Sequence, residues 1–430
     1  MIEREKYLKQ LINKKENGLV KVITGLRRSG KSYLLFNIFK SYLLSNNVSS
    51  DHIISIALDD IEMQRYWNPN ELNTYIKNKI IHDGKTNFIF IDEIQFVKEI
   101  ENPYLPGSKI GFNDVILGLM KIENVDIYIT GSNSEMLSSD ILTKFRGRSD
   151  QIHVMPLSFK EFYNAFKKEK AKAWDEYILF GGMPYIMSLE NYDDKSLYLK
   201  RLFDETYIKD IIERKNIKNN KVIIDDLLYI LSSSVGSLTN PLKIANALKS
   251  LKNISINSLT IGNYFNYLTD SFLIEKVERY DIKGKKYIST PLKYYFSDIG
   301  LRNVLLNFTD IEETHIMENI IYNELIYRGY NVDVGVVESF YKDENKVTKR
   351  KQFEIDFVCN KGNDKCYIQL AYALPDNEKR IQEIRGFNLI KDSFKKIVII
   401  KENIIPRRDE NGILYVGIID FLLNEQYLFN

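Results

Sequence analysis

The stretch LVKVITGLRRSGKS, residues 19–32, decides the fold. Its first half is a nearly unbroken apolar run, as expected of a strand covered on both faces. Its second half sets Gly25 and Gly30 ahead of Lys31 and Ser32. That spacing lets the backbone N–H groups of Gly25, Leu26, Arg27, Arg28, Ser29 and Gly30 curl around a polyanion. A helix opening near Lys31 adds its N-terminal dipole, Lys31 grips the outer phosphates, and Ser32 ligates magnesium. The apolar-periodic run SYLLFNIFKSYLL supplies that helix. Arg27 and Arg28 fill the variable positions, where they are expected to face solvent or a partner rather than do chemistry. The stretch reads as a nucleotide-phosphate loop between a strand and a helix.

Four more β-rich runs follow at helix-sized intervals: HIISIAL (52–58), NFIFIDE (87–93), VDIYITG (125–131) and DQIHVMPLS (150–158). Strands alternating with helices make a parallel α/β sheet. The run ending in Asp92 and Glu93 brings two carboxylates to the sheet's carboxyl edge, where the phosphate loop also lies. Asp92 is expected to hold magnesium through its water shell, and Glu93 to orient and polarise the attacking water. IYIT runs into Gly131-Ser132-Asn133-Ser134, and Asn133 is the expected sensor of the terminal phosphate. Arg146 and Arg148, in Phe145-Arg146-Gly147-Arg148, are expected on the same edge, steadying charge on the transferred phosphoryl group either in cis or across a subunit boundary of a homo-oligomer.

GLRRSGKS, FIDEIQ, ITGSNSEML, RGR, PLSFKEF, GGMP, YDIKGKKY and KYYFSDIGLR occur in this order over nearly the whole chain. Together they resemble the prokaryotic AAA-type ATPases that carry a C-terminal domain of unknown function. The resemblance implies a phosphate-loop fold of the additional-strand class, ATP and Mg²⁺ as ligands, and ATP hydrolysis. It leaves the protein partner undefined.

Composition narrows the setting. Sixty Lys and Arg against 58 Asp and Glu leave a net charge of +2, so no global field draws the chain to nucleic acid or anionic lipid. Two cysteines cannot staple a secreted scaffold, and four scattered histidines lack metal-ligand spacing. No apolar run approaches a spanning helix, and charge begins at Glu3 and Arg4, so a cytoplasmic protein without a membrane partner is expected.

At 430 residues several units are expected: an ATPase domain over 1–165, a helical lid or linker over 166–235, a winged-helix-like domain over 236–305, and an α/β domain over 306–430. The winged helix rests on two helical runs followed by a hairpin turning at Asp281 to Lys285. Its second helix, Ser258 to Ser271, holds no Lys or Arg; only the wing, with Arg279, Lys283, Lys285 and Lys286, is basic. Protein packing is therefore favoured there over nucleic-acid contact. In the last unit, placing Cys359 opposite Cys366 sets Asp356 opposite Gln369 and Glu354 opposite Ala371 on one face. This hairpin resembles the core of restriction-endonuclease-like nucleases, with Glu318 or Glu324 as a helix-borne acid. Ala371 stands where that resemblance calls for a lysine, so a vestigial site without nuclease activity is expected.

Overall fold

The computed structural model describes residues 2–131, 145, 147–208, 212, 221–309, 312–342, 348–374 and 377–428. The chain divides into two compact units, one of residues 1–156 with 270–272, the other of residues 157–269 with 273–430.

In the first unit β1 (Val20–Thr24), β2 (Ile53–Ala57) and β3 (Asn87–Asp92) are followed by a small hairpin, β4 (Ile100–Glu101) and β5 (Lys109–Ile110). Then come β6 (Val125–Thr130) and β7 (Ser149–His153). The five longer strands are all parallel, in the order β2-β3-β6-β1-β7. β6 thus stands between the loop-bearing β1 and the acid-bearing β3, which is the additional strand of the resemblance. Both β1 and β3 are buried along their whole length, as their unbroken apolar runs require. One face packs Ile54, Ile89 and Ile127 under helices Pro69–Lys79 and Phe112–Leu119. On the other, Phe39, from the helical stretch after the phosphate loop, meets Phe90 and Tyr128 at centroid distances of 5.8 and 5.0 Å. Lys21 is the exception within β1: its ammonium is buried, bonded to Asp126 and 5.2 Å from the Tyr128 ring.

At the end of β7 the His153 ring lies 4.8 Å from that of Phe272, and Nδ1 is 3.4 Å from Thr24 Oγ1. Burial, and then the charge of Lys31, push its pKa down to about 4. The folded imidazole stays neutral where the unfolded one, near 6.5, takes a proton. Its share of the stability is therefore complete above pH 6.5 and is lost as the pH falls toward 4. The loss between pH 7 and pH 4.5 is expected to be about 2 kcal/mol. In His153→Gln, the drop in unfolding free energy between pH 7 and pH 4.5, read by denaturant titration, should shrink by that amount relative to wild type.

The second unit opens with helices Phe159–Phe166, Lys170–Phe180, Tyr192–Arg201 and Lys221–Ser233. The GGMP and SDIG segments meet in one joint here. The Asp298 carboxylate accepts N–H groups from Gly182 at 2.7 Å and Leu301 at 3.1 Å. A Cβ on Gly300 would fall 2.0 Å from the Phe180 carbonyl oxygen, so only glycine fits. Burial raises the Asp298 pKa to about 6 against the N–H groups of Gly182, Leu301 and Gly300.

Helices Pro241–Lys252 and Ser258–Asp270 then lead into β8 (Ile274–Asp281) and β9 (Lys286–Phe296), the two helices and hairpin expected from sequence. The second helix buries Ile261, Tyr264, Phe265 and Leu268. The hairpin is not free-standing. β10 (Asn331–Lys342), β11 (Thr348–Lys361), β12 (Asp364–Ala371), β13 (Lys395–Ile400), β14 (Arg407–Arg408) and β15 (Leu414–Gly417) complete a single eight-stranded sheet with it, ordered β14-β15-β13-β12-β11-β10-β8-β9. β8 runs parallel to β10, with Arg279 opposite Val334 and Asp281 opposite Val336. The expected boundary between residues 305 and 306 therefore does not separate two sheets. An isolated hairpin would leave the outer backbone groups of β8 unpaired, and β10 satisfies them. Nothing in the alternation of β8 names that neighbour. Among the described residues no helix is long and apolar enough to cross a membrane.

Candidate nucleotide-binding site

The loop between β1 and the following helix needs glycine at both ends. Gly25 has φ +137°, and a Cβ there would fall 2.1 Å from the Val154 carbonyl oxygen; Gly30, at φ +94°, caps the helix that begins at Lys31. Leu26 and Ser29 are buried, Arg27 is half-buried and Arg28 is exposed. The Lys31 ammonium is enclosed, donating to the carbonyls of Gly25 at 3.0 Å and Leu26 at 2.9 Å. Burial lowers its pKa to about 8, opposed by Glu93 and Asp92. Arg4, which sequence reading passed over, braces the loop from behind, reaching the Ser29 carbonyl at 3.3 Å and the Met155 carbonyl at 2.6 Å.

At the end of β3, Asp92 is buried and its pKa is raised by that burial, against hydrogen bonds from Thr130 and Ser32. The bond to Ser32 joins the two expected magnesium ligands. Glu93 leaves the strand in a left-handed conformation, φ +52°, a strained choice for a non-glycine residue. Its carboxylate accepts from Gln95 Nε2. Thr130, the last residue of β6, ties these parts together: its hydroxyl donates to Asp92 and accepts the Glu93 N–H at 3.1 Å. Sequence reading placed the polar sensor at Asn133, which lies outside the described residues, as does Arg146. The threonine ending VDIYIT was the available signal for Thr130.

Arg148 is a correction. Its carbonyl accepts the N–H of Val20, the first residue of β1, and its side chain is exposed. It therefore lies at the amino edge of the sheet, about 15 Å along β1 from the phosphate loop, and not on the expected carboxyl edge. β7 runs parallel to β1, so a residue just before β7 must sit at the far end of the sheet.

Residues 17–163 match the AAA domain family, residues 171–312 a domain of unknown function, DUF8612, and residues 313–419 another, DUF4143. An uncharacterised protein of Haemophilus influenzae is 33% identical over 428 residues, spanning 98% of this chain and 99% of its own. The chain belongs to this family of AAA-type P-loop proteins. An uncharacterised Methanocaldococcus jannaschii member is also 33% identical, over 95% of this chain and 86% of its own. Among solved structures, a Walker-type ATPase of Pyrococcus abyssi is similar at 17% identity and a TM-score of 0.47, over 71% of this chain and 96% of that one.

The second unit of this AAA-type protein gathers acidic side chains around the β11–β12 hairpin. Cys359 stands opposite Cys366, and Gln369 Nε2 donates to Asp356 at 2.9 Å. Of the two helix acids, Glu318 joins the cluster; Glu324 pairs instead with Arg328 at 2.7 Å, both side chains buried. The cation absent at Ala371 comes from a strand the hairpin pattern did not include. Lys293, on β9, reaches Glu318 at 2.8 Å and Glu354 at 2.7 Å. Tyr295 also donates to Glu318. Burial opposes the charge on Lys293, but Glu318, Glu354 and Asp356 hold its pKa above the usual lysine value. Asp356, buried near Glu318, rises to about 8, with Lys293 working against that rise.

Proposed function

We propose that the protein binds ATP with magnesium at residues 25–32 and hydrolyses it, using the nucleotide state to switch its action on a protein partner. The observation that carries this reading is the Thr130 bridge, which fixes Asp92 and Glu93 together at the strand edge shared with Lys31 and Ser32. The loop fits a polyanion: the Ser29 hydroxyl is fully buried with no hydrogen-bond partner among the described residues, and Lys31 spends its charge on two carbonyls. Phosphate oxygens are better acceptors for both.

Ser32 and Asp92 are the residues that would hold magnesium, whose charge offsets that of the phosphates. Lys31 exchanges its carbonyls for the outer phosphates. Glu93, oriented by Gln95 and by its bonded N–H, accepts the proton of the attacking water. Steady-state phosphate release tests the core of the proposal: Lys31→Ala should lower turnover by about 100-fold or more, and unchanged turnover would remove the loop from the reaction.

A further inference from the structure

β10 and β11 run on together past the body of the second sheet. Val337 is the last fully buried residue of β10. From Glu338 to Lys342 the strand is paired, among the described residues, only with Lys349–Gln352 and Thr348 of β11, a two-stranded arm about 17 Å long. Phe340 and Tyr341 on this arm are 66% and 49% exposed. Phe340 lies opposite Arg350 and Tyr341 opposite Lys349, so the arm carries an exposed ring beside a cation on each of its two faces. Lys351 and Lys342 are also exposed.

The β8–β9 turn lies against the base of this arm. The Ile282 N–H donates to the Val336 carbonyl at 3.0 Å, and Lys283 Nζ donates to the Glu338 carbonyl at 2.9 Å. Exposed Lys285 follows in the same turn, and exposed Lys286 opens β9. The wing that looked basic but isolated in the sequence thus belongs to one larger surface. Two acids among the described residues nearby are engaged: Glu338 pairs with Arg350, and Asp281 accepts the Gly284 N–H at 2.9 Å. Over residues 338–352 the sequence holds five cations against three acids, in a chain that is otherwise nearly balanced.

We infer that this arm and the adjoining turn form a binding surface for single-stranded nucleic acid, with the cations on backbone phosphates and Phe340 and Tyr341 stacking on bases. Lysines alone guard an open sheet edge against unwanted pairing; the large exposed rings on both faces of the arm serve no such guarding role. Rings beside cations suit unpaired bases, whose faces are open. A duplex hides those faces, and the helix that would read its groove, Ser258–Asp270, is turned into the core and carries no cation. The inference does not depend on ATP hydrolysis.

Fluorescence anisotropy of the full chain with a labelled 20-nucleotide oligo-dT, from 50 to 200 mM salt, tests it. Wild type should bind with an affinity that falls steeply with salt. Lys349→Ala/Arg350→Ala/Lys351→Ala should weaken binding at least about tenfold and flatten the salt slope by about 1 to 2, since each phosphate left without its cation removes roughly 0.7 and Arg350 is shared with Glu338. Phe340→Ala/Tyr341→Ala should weaken binding about tenfold or more while leaving the slope unchanged. All five side chains are exposed, so the variants should keep the wild-type unfolding midpoint. Lys77→Ala/Lys79→Ala/Lys85→Ala, on the first unit, should bind as wild type does. Absence of binding at 50 mM salt, equal binding of a 20-base-pair duplex, or indifference to loss of the rings would each overturn the inference.

Discussion

Glu93→Gln should bind ATP as tightly as wild type and hydrolyse it about 100- to 1,000-fold more slowly, the usual range when a positioned proton acceptor is removed. The substitution preserves shape, so the left-handed turn at residue 93 and the Glu93 N–H bond to Thr130 survive it. Only the negative charge and the ability to take a proton disappear. Lys31 loses one of the two acids that favour its charged form, but the phosphates are freed from the repulsion of the Glu93 carboxylate, so nucleotide affinity should hold or rise slightly. The contrast with Lys31→Ala is the informative part. The lysine variant should fail in binding or turnover, whereas the glutamine variant should trap the bound nucleotide. Titration with a fluorescent ATP analogue beside single-turnover hydrolysis separates the two. Hydrolysis by Glu93→Gln within about threefold of wild type would mean that another group activates the water.

The phosphate loop and the five-stranded sheet were readable because each depends on local pattern. Continuous apolar runs specify doubly covered strands, and the glycine spacing specifies a loop whose backbone cannot tolerate a Cβ at Gly25. What the sequence hid depends on which strands become neighbours. Thr130 matters because β6 enters between β1 and β3, bringing its last hydroxyl beside Asp92. Arg148 was misplaced because its distance along the chain from Glu93 says nothing about which end of β7 it occupies. Arg4 lies 25 residues before the carbonyl it braces, with no periodicity to mark the pairing. The same limit explains the winged-helix reading. Its helices and hairpin formed as expected, but the pairing of β8 with β10 is a long-range choice. That pairing makes the wing part of a larger basic and aromatic surface, and a neighbouring strand of the same hairpin delivers Lys293 to acids far away in sequence.

Lys293→Met should cost about 3–5 kcal/mol of stability in the second unit, the range seen when one partner of a buried ion pair is removed. The lysine side chain is 4% exposed, and the Glu318 side chain it bonds is 11% exposed. Methionine fills similar volume, so cavity formation contributes little; the cost comes from leaving Glu318 and Glu354 together beside Asp356 without a counter-ion. Asp356, whose pKa burial and Glu318 already raise and Lys293 holds down, takes up a proton more readily without the lysine, so the destabilisation should shrink as the pH falls from 8 toward 5. Adding Glu318→Gln to Lys293→Met should restore at least half of the lost stability, because it removes a buried charge while keeping an acceptor for Tyr295. In a wild-type background Glu318→Gln should itself be destabilising, since Lys293 then loses the more deeply buried of its two bonded acids. Denaturant titration of the four proteins at pH 8 and pH 5 gives the coupling directly. If the two substitutions simply add at both pH values, Lys293 is not the counter-ion of this cluster.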